Sequence, residues 1–208
     1  MTLYLDKADV GGAARALEPV LGVAKESGTS EGNQAALSVL RGRLLEEQGK
    51  FDEAESLLEN ASKSSKASPN VVVAAKYGIA RCAQKRGRPR DAEQRYKDLR
   101  KADARNTVLA GAWNGLGDIA LEQATGARDP DGLRVALLAY LRGVVLYVPS
   151  SGEPTEEHER ALAGAARACK AISELETAPD KKQLFLERSK QRHGQLASQY
   201  PGSRFLKQ

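Results

Sequence analysis

The chain has 208 residues, of which 41% are hydrophobic and 28% charged: enough apolar material for a packed core, and too much for wholesale disorder. Two cysteines, Cys82 and Cys169, exclude a disulfide scaffold and a four-thiolate zinc site. Lys and Arg number 32 against 27 Asp and Glu, a net charge of +5 that favours anionic partners.

The basic residues alternate with acids, as in GRLLEEQGK and RYKDLRKADAR. That alternation marks solvated helix faces and argues against nucleic acid as the partner. The most lopsided segment, KRGRPR at 85–90, reads as an exposed turn. The longest mostly apolar stretch, Val135 to Val148, is interrupted by Arg142 and is shorter than the roughly 18–20 residues needed to cross a bilayer.

Apolar residues recur at three- and four-residue spacings almost throughout, the period of amphipathic helices. In chain order, the pattern predicts a short helix near 3–9 and another over 11–24, then a flexible link at GTSEG, 28–32. A helix over 33–48 carries the stripe Leu37, Leu40, Leu44, Leu45, and Gly49-Lys50 turns the chain. The helix over 51–65 carries Ala54, Leu57, Leu58 and Ala61 and frays into SKSSKASPN, 62–70. Pro69 suits the first turn of the next helix, 70–86. GRP, 87–89, is a tight turn before a helix over 89–102, followed by one over 107–124. TGARDPDG, 125–132, predicts a longer loop before the helix 131–148. Thr155 is a candidate N-cap for the helix 155–176, and TAPDKK separates it from the last helix, 179–199. VVVAA at 71–75 and VVLYV at 144–148 are the only β-like runs, and each merges with helix-forming neighbours. The prediction is therefore all-α.

Self-comparison reveals a repeat. GKFDEAESLLENA at 49–61 and GRPRDAEQRYKDL at 87–99 superimpose without a gap, and Gly42 and Ala80 stand seven residues before the two turn glycines. A third copy opens with AWNGLGDIALEQA, 112–124, and its second helix returns as ALLAYLRGVVLYVP, 136–149, with about seven extra residues between the helices. Gly42, Ala54, Ala80 and Ala92 would let helices approach within a pair, and Leu58, Tyr96, Trp113 and Tyr140 would fill the gaps between pairs. No pair can bury its apolar face alone, so neighbours must stack.

On these residues the chain resembles the tetratricopeptide repeat family. Trp113 with Leu116-Gly117 matches the family's opening motif. Gly49, Phe51, Ala54, Leu58 and Ala61, then Gly87, Ala92, Tyr96 and Leu99, then Ala136, Tyr140, Gly143 and Pro149 match the turn and second helix. The resemblance implies a right-handed α-solenoid of antiparallel helix pairs, one domain over 1–208, with repeats near 1–32 (partial), 33–68, 70–104, 107–149 and 155–205. Arg41 departs from the family pattern, standing where a leucine is usual. At the start, ADVGGAARALEPVL reads as a second helix with Ala13 and Leu17 in the alanine and aromatic slots; about ten residues precede it. Either the natural chain extends upstream or the first repeat is abbreviated; the exposed apolar surface of a half repeat favours the first.

Motifs for chemistry are missing. His158 and His193 lie on different predicted helices without ligand-spaced acids or thiols and read as surface or packing residues. Cys82 and Cys169 fall in apolar helical contexts and read as small hydrophobes. Gly115-Leu116-Gly117 lacks the preceding strand and third glycine of a nucleotide loop, and Asp129, Asp131 and Gly132 lack the closing glutamate of a calcium loop. No catalytic residue, metal ligand or cofactor is indicated, and the expectation is a protein that is not an enzyme.

The resemblance places function on a concave groove lined by the first helix of each pair, where the family generally holds an extended peptide or a helix. It implies a partner-binding set of Arg43 and Glu46, with Val39 and Glu47; Tyr77, Arg81 and Lys85, with Gln84; and Asn114 and Asp118, with Glu122. Arg43, Arg81 and Lys85 would pair with ligand carboxylates and Tyr77 would anchor. The family subset that clamps a C-terminal carboxylate with two lysines, two asparagines and an arginine is not matched, because Val39, Arg43, Lys76-Tyr77 and the neighbours of Gly111 and Asn114 stand in those places. The expected partner is a protein or peptide, anionic in character. The alternative is an assembly component of a bacterial membrane- or envelope-associated complex that self-associates through solenoid ends, including residues 1–14, and the convex surface. LASQYPGS, 196–203, resembles the terminal phrase of envelope-assembly repeat proteins. The compartment is then the cytoplasm, or a soluble part of a tethered envelope protein.

Overall fold

The computed structural model describes residues 12, 14, 15, 17–19, 30–102 and 106–207. The expected helix at 3–9, most of the helix 11–24 with Ala13, and the first part of the GTSEG link lie outside the described residues. The rest is helical, without a strand among the described residues. The helices are α1 (Glu31–Glu47), α2 (Phe51–Lys63), α3 (Pro69–Lys85), α4 (Pro89–Leu99), α5 (Asn106–Ala127), α6 (Pro130–Leu146), α7 (Glu156–Leu175) and α8 (Pro179–Gln199), followed by a 3-10 turn, Arg204–Lys207. The chain divides into two compact units, 1–108 and 109–208.

In the first unit α1 packs on α2, α2 on α3 and α3 on α4, and α1 also meets α3, so one helix pair leans on the next. Local chemistry sets the bounds. Ser30 caps α1 by accepting from the Asn33 amide at 3.4 Å, so the second half of GTSEG opens a helix instead of continuing a link. Ser68 caps α3 in the same way, accepting from the Val71 amide at 3.4 Å, with Pro69 in its first turn. Gly49 (φ +76°) and Gly87 (φ +72°) end α1 and α3 in the left-handed region. Each closes a Schellman turn: Gly49 and Lys50 donate to Glu46 O and Leu45 O, and Gly87 and Arg88 donate to Gln84 O and Ala83 O.

The core of this unit is built on Leu58, which is 1% exposed. A Cβ at Gly42 would lie 2.7 Å from Leu58 Cγ, and one at Gly78 would lie 2.8 Å from Leu58 Cδ1. Leu58 of α2 is therefore wedged between the backbones of α1 and α3, and ties a pair to its successor through two glycines. Burying such a side chain contributes about 2–3 kcal/mol. Ala54 and Ala75 are fully buried around it, and Ala80 and Ala92 are fully buried in the same unit. Leu17, also buried, packs against Leu44.

The second unit repeats the device. Tyr140 of α6 has no exposed surface, and its ring lies against Gly117 of α5 and Gly164 of α7, where a Cβ would come within 2.9 Å and 2.2 Å of ring carbons. Here α6 packs on α7 and α7 on α8, and the 3-10 turn seats Phe205 against Val144, Leu162 and Leu196.

Three expectations need correction. The loop expected over 125–132 is a tight turn: α5 continues through Ala127, α6 begins at Pro130, and Asp129 caps it by accepting from the Asp131 amide at 3.0 Å. Arg128 takes the left-handed position (φ +52°) with the same two turn hydrogen bonds, Arg128 to Thr125 O and Asp129 to Ala124 O. Gly42 precedes its turn residue Gly49 by seven positions and Gly117 precedes Arg128 by eleven; Leu58 follows Gly49 by nine and Tyr140 follows Arg128 by twelve. The extra residues thus lengthen each helix by about one turn of 3.6 residues, which keeps both apolar faces in register. Second, Thr155 stands at the N-cap position of α7 as expected but its side chain makes no capping bond; its hydroxyl donates to Glu159 Oε1 at 2.6 Å. Third, Trp113 is only partly buried and packs under the Arg142 guanidinium, 4.2 Å from the ring centre, while Leu58, Tyr96 and Tyr140 are the residues that fill the interior.

Candidate functional site

Each helix that opens a pair presents a polar face, and in each unit that face is organised by carboxylate–guanidinium contacts. In the first unit the contact joins the end of α1 to the end of α3. Arg81 Nε binds Glu46 Oε1 at 2.9 Å and its Nη2 binds Glu47 Oε1 at 3.0 Å; Lys85 Nζ lies 3.0 Å from the same Glu46 oxygen. Glu46 is 2% and Arg81 9% exposed, so the fork of Arg81 is spent on this chain's own carboxylates. Tyr77 sits beside them, 5.7 Å from the Arg81 guanidinium and 6.2 Å from the Tyr96 ring. Gln84 accepts the Tyr96 hydroxyl at 2.8 Å. Arg43 is partly buried on α1, and Val39 packs against the core. Residues 85–90 are more than a solvated turn: Arg86 pairs with Asp52 and Glu55, and Arg88 binds Glu55 at 2.8 Å, clasping the second pair to the first.

The Cys82 thiol lies beneath this cluster. Burial pushes its pKa up to about 12, with the Glu46 and Glu55 carboxylates adding to the effect, so it stays a neutral packing group. Burial likewise raises Cys169.

In the second unit, Asn114 of α5 is fully buried and donates to Glu157 O at 2.7 Å and Glu157 Oε2 at 2.9 Å. One helical turn on, Asp118 accepts the Tyr140 hydroxyl at 2.5 Å and Arg160 Nη2 at 2.5 Å, with Arg167 Nη2 at 3.5 Å. Burial works to raise the Asp118 pKa, but Arg160 and the Tyr140 and Arg160 hydrogen bonds, helped by Arg167, outweigh it and hold this carboxyl below its ordinary range. Burial and Asp118 push the Tyr140 phenol far up, so it remains a donor.

Beside this knot opens a cavity of about 530 Å³, lined by Asp118, Leu121, Glu122, Arg160, Arg167 and Phe205 among others. Glu122 is exposed, and the Arg167 side chain is 43% exposed. The cavity thus offers both signs of charge over an apolar floor. Arg160, Arg167 and Phe205 escaped the sequence reading, which carried the face across three helices and stopped before α7. The signal was present: Arg160 and Arg167 are seven residues apart, two turns on one face of a helix recognised as the opener of a pair.

His158 is 4% exposed and is a packing residue: Nδ1 pairs with the Tyr200 hydroxyl at 2.8 Å and Nε2 with Val144 O at 3.2 Å, and burial lowers its pKa. No helix among the described residues is long and apolar enough to cross a membrane.

Two family models, each described as tetratricopeptide repeat, match residues 45–112 and 2–71. Among solved structures, the crystal structure of BtubC (BKLC) from P. vanneervenii is similar, with a TM-score of 0.55 at 16% sequence identity over 93% of this chain and 77% of that one. At that identity the likeness concerns the fold. No curated protein sequence matches the chain.

Proposed function

The chain belongs to the tetratricopeptide repeat family, whose repeats generally mediate protein–protein interaction without catalysis, and on that premise we propose that it is a scaffold that binds a peptide or partner helix along its pair-opening helices. The observation that carries the reading is the cavity of about 530 Å³ at Asp118, Glu122, Arg160 and Arg167. Arg160 is committed to Asp118 and Glu157, whereas Arg167 reaches Asp118 only at 3.5 Å and keeps much of its surface in water. Arg167 is the group placed to take a ligand carboxylate, and Leu121 and Phe205 supply apolar contact beside it. In the first unit Glu46, Arg81 and Lys85 are bound to one another, and the partly buried Tyr77 and Arg43 belong to the same proposed face.

The test is affinity capture from native lysate with the wild-type protein against an Arg167→Glu/Glu122→Lys variant of unchanged circular dichroism. Loss of a discrete captured protein supports the proposal; identical captured sets reject this face as the working surface. The alternative, self-association through residues 1–14, concerns a segment mostly outside the described residues.

A further inference from the structure

The apolar run that stands out in the sequence, Val135 to Val148, lies only half inside the fold. Its inward residues Ala136, Leu137, Tyr140 and Val144 are buried, but Val135, Leu138, Val145, Leu146 and Val148 are 56–67% exposed. Among the described residues, Leu184 is the one other exposed large hydrophobic side chain, so the exposed apolar surface is concentrated on α6 and its exit. Val135, Leu138, Arg142 and Val145 follow three-, four- and three-residue steps, which place them in one stripe on the helix. Arg142 is exposed, near the middle of the stripe, and makes no ion pair among the described residues; the Trp113 ring at 4.2 Å holds its guanidinium in place.

We propose that this face of α6 is a second docking surface whose occupant is an amphipathic helix with a carboxylate at the centre of its apolar face, paired with Arg142. Charge complementarity decides the occupant. An apolar seam with one fixed, unpaired cation is matched by apolar anchors flanking one acid, and mismatched by a seam carrying a base. A second copy is disfavoured: two-fold antiparallel pairing about the centre of the stripe would set Arg142 against its own symmetry mate. A membrane surface is disfavoured as well. Interfacial helices are rich in Lys and Arg, whereas α6 has only Arg134 and Arg142, and Arg134 is paired with Asp131. The face is separate from the cavity at Asp118 and stands whether or not that cavity binds.

Trp113 is the chain's single tryptophan and touches Arg142, so its emission reports occupancy directly. The probe is a tryptophan-free stapled helical peptide of roughly four turns with leucines flanking one central glutamate, compared with its twin carrying lysine there. With the full chain, the glutamate peptide shifts Trp113 emission saturably, and the lysine peptide binds roughly tenfold or more weakly. Arg142→Glu reverses the preference. Leu138→Gln and Val145→Gln, which place no acid within a turn of Arg142, weaken both peptides roughly tenfold or more while circular dichroism is unchanged. Equal affinity for the two peptides, or no binding of either, overturns the proposal. So does a concentration-dependent dimer, or adsorption to phosphatidylserine vesicles, that Leu138→Gln removes.

Discussion

Arg128 occupies in the third hairpin the backbone position that Gly49 occupies in the first, at φ +52° against +76°, with the same pair of turn hydrogen bonds. A left-handed conformation costs a residue with a Cβ about 1 kcal/mol that glycine avoids. Arg128→Gly is therefore expected to stabilise the second unit by about 0.5–1 kcal/mol, and Gly49→Ala to destabilise the first by a similar amount. Urea denaturation midpoints check both, and a destabilised Arg128→Gly would refute the account of this turn.

Gly164 and Gly194 both lie inside helices but predict opposite outcomes. A Cβ at Gly164 would come within 2.2 Å of Tyr140 Cε1, and that ring, wedged against Gly117, has nowhere to move. Overpacking of this kind costs about 1–3 kcal/mol, more than the roughly 1 kcal/mol that alanine gains in helix propensity. A Cβ at Gly194 meets nothing within 4 Å, so Gly194→Ala keeps the propensity gain and raises the melting temperature.

Removing Arg81 leaves the Glu46 carboxylate buried with Lys85 as its remaining cation. Arg81→Met is expected to cost about 1–3 kcal/mol, and Arg81→Met/Glu46→Leu less than the sum of the single changes. A double-mutant cycle by chemical denaturation measures the coupling. Additive effects would show that the clasp contributes no cooperative stability.

Acid should destabilise the second unit in two stages. The His158 pKa is lowered from 6.5, so the unfolded chain takes up this proton more readily than the native one. The stabilisation is complete above pH 6.5 and is lost as pH falls through the native value. Asp118 is lowered from 3.8, so its contribution is complete above that value and is lost only as pH falls further, towards its native value. Stability measured against pH should flatten as pH falls below 6.5 in His158→Gln and below 3.8 in Asp118→Asn.

The helices α1 to α8 were legible in the sequence to within three residues at either end, because their apolar period, prolines and capping serines act locally. The third hairpin was misread as looped because the cue for a tight turn is glycine, and Arg128 stands in its place. The polar face was legible as a set of positions but not as a set of contacts. Nothing in Glu46 or Arg81 alone says that thirty-five residues of separation close to a 2.9 Å bond that turns a candidate ligand-binding arginine into structure.

The amino-acid sequence by itself determined that the chain is helical, that its helices come in pairs, and that small residues in one helix face bulky residues of another. These follow from periodicity and side-chain volume, which each segment carries within itself. Only the tertiary structure decided which charges are consumed within the fold and which keep their exposure to solvent. Packing brings Arg160 and Arg167 to Asp118, yet leaves α6 with an apolar stripe around the unpaired Arg142. The physical reason is that burial and ion pairing are properties of neighbours distant along the chain, and those neighbours exist only once the pairs have stacked.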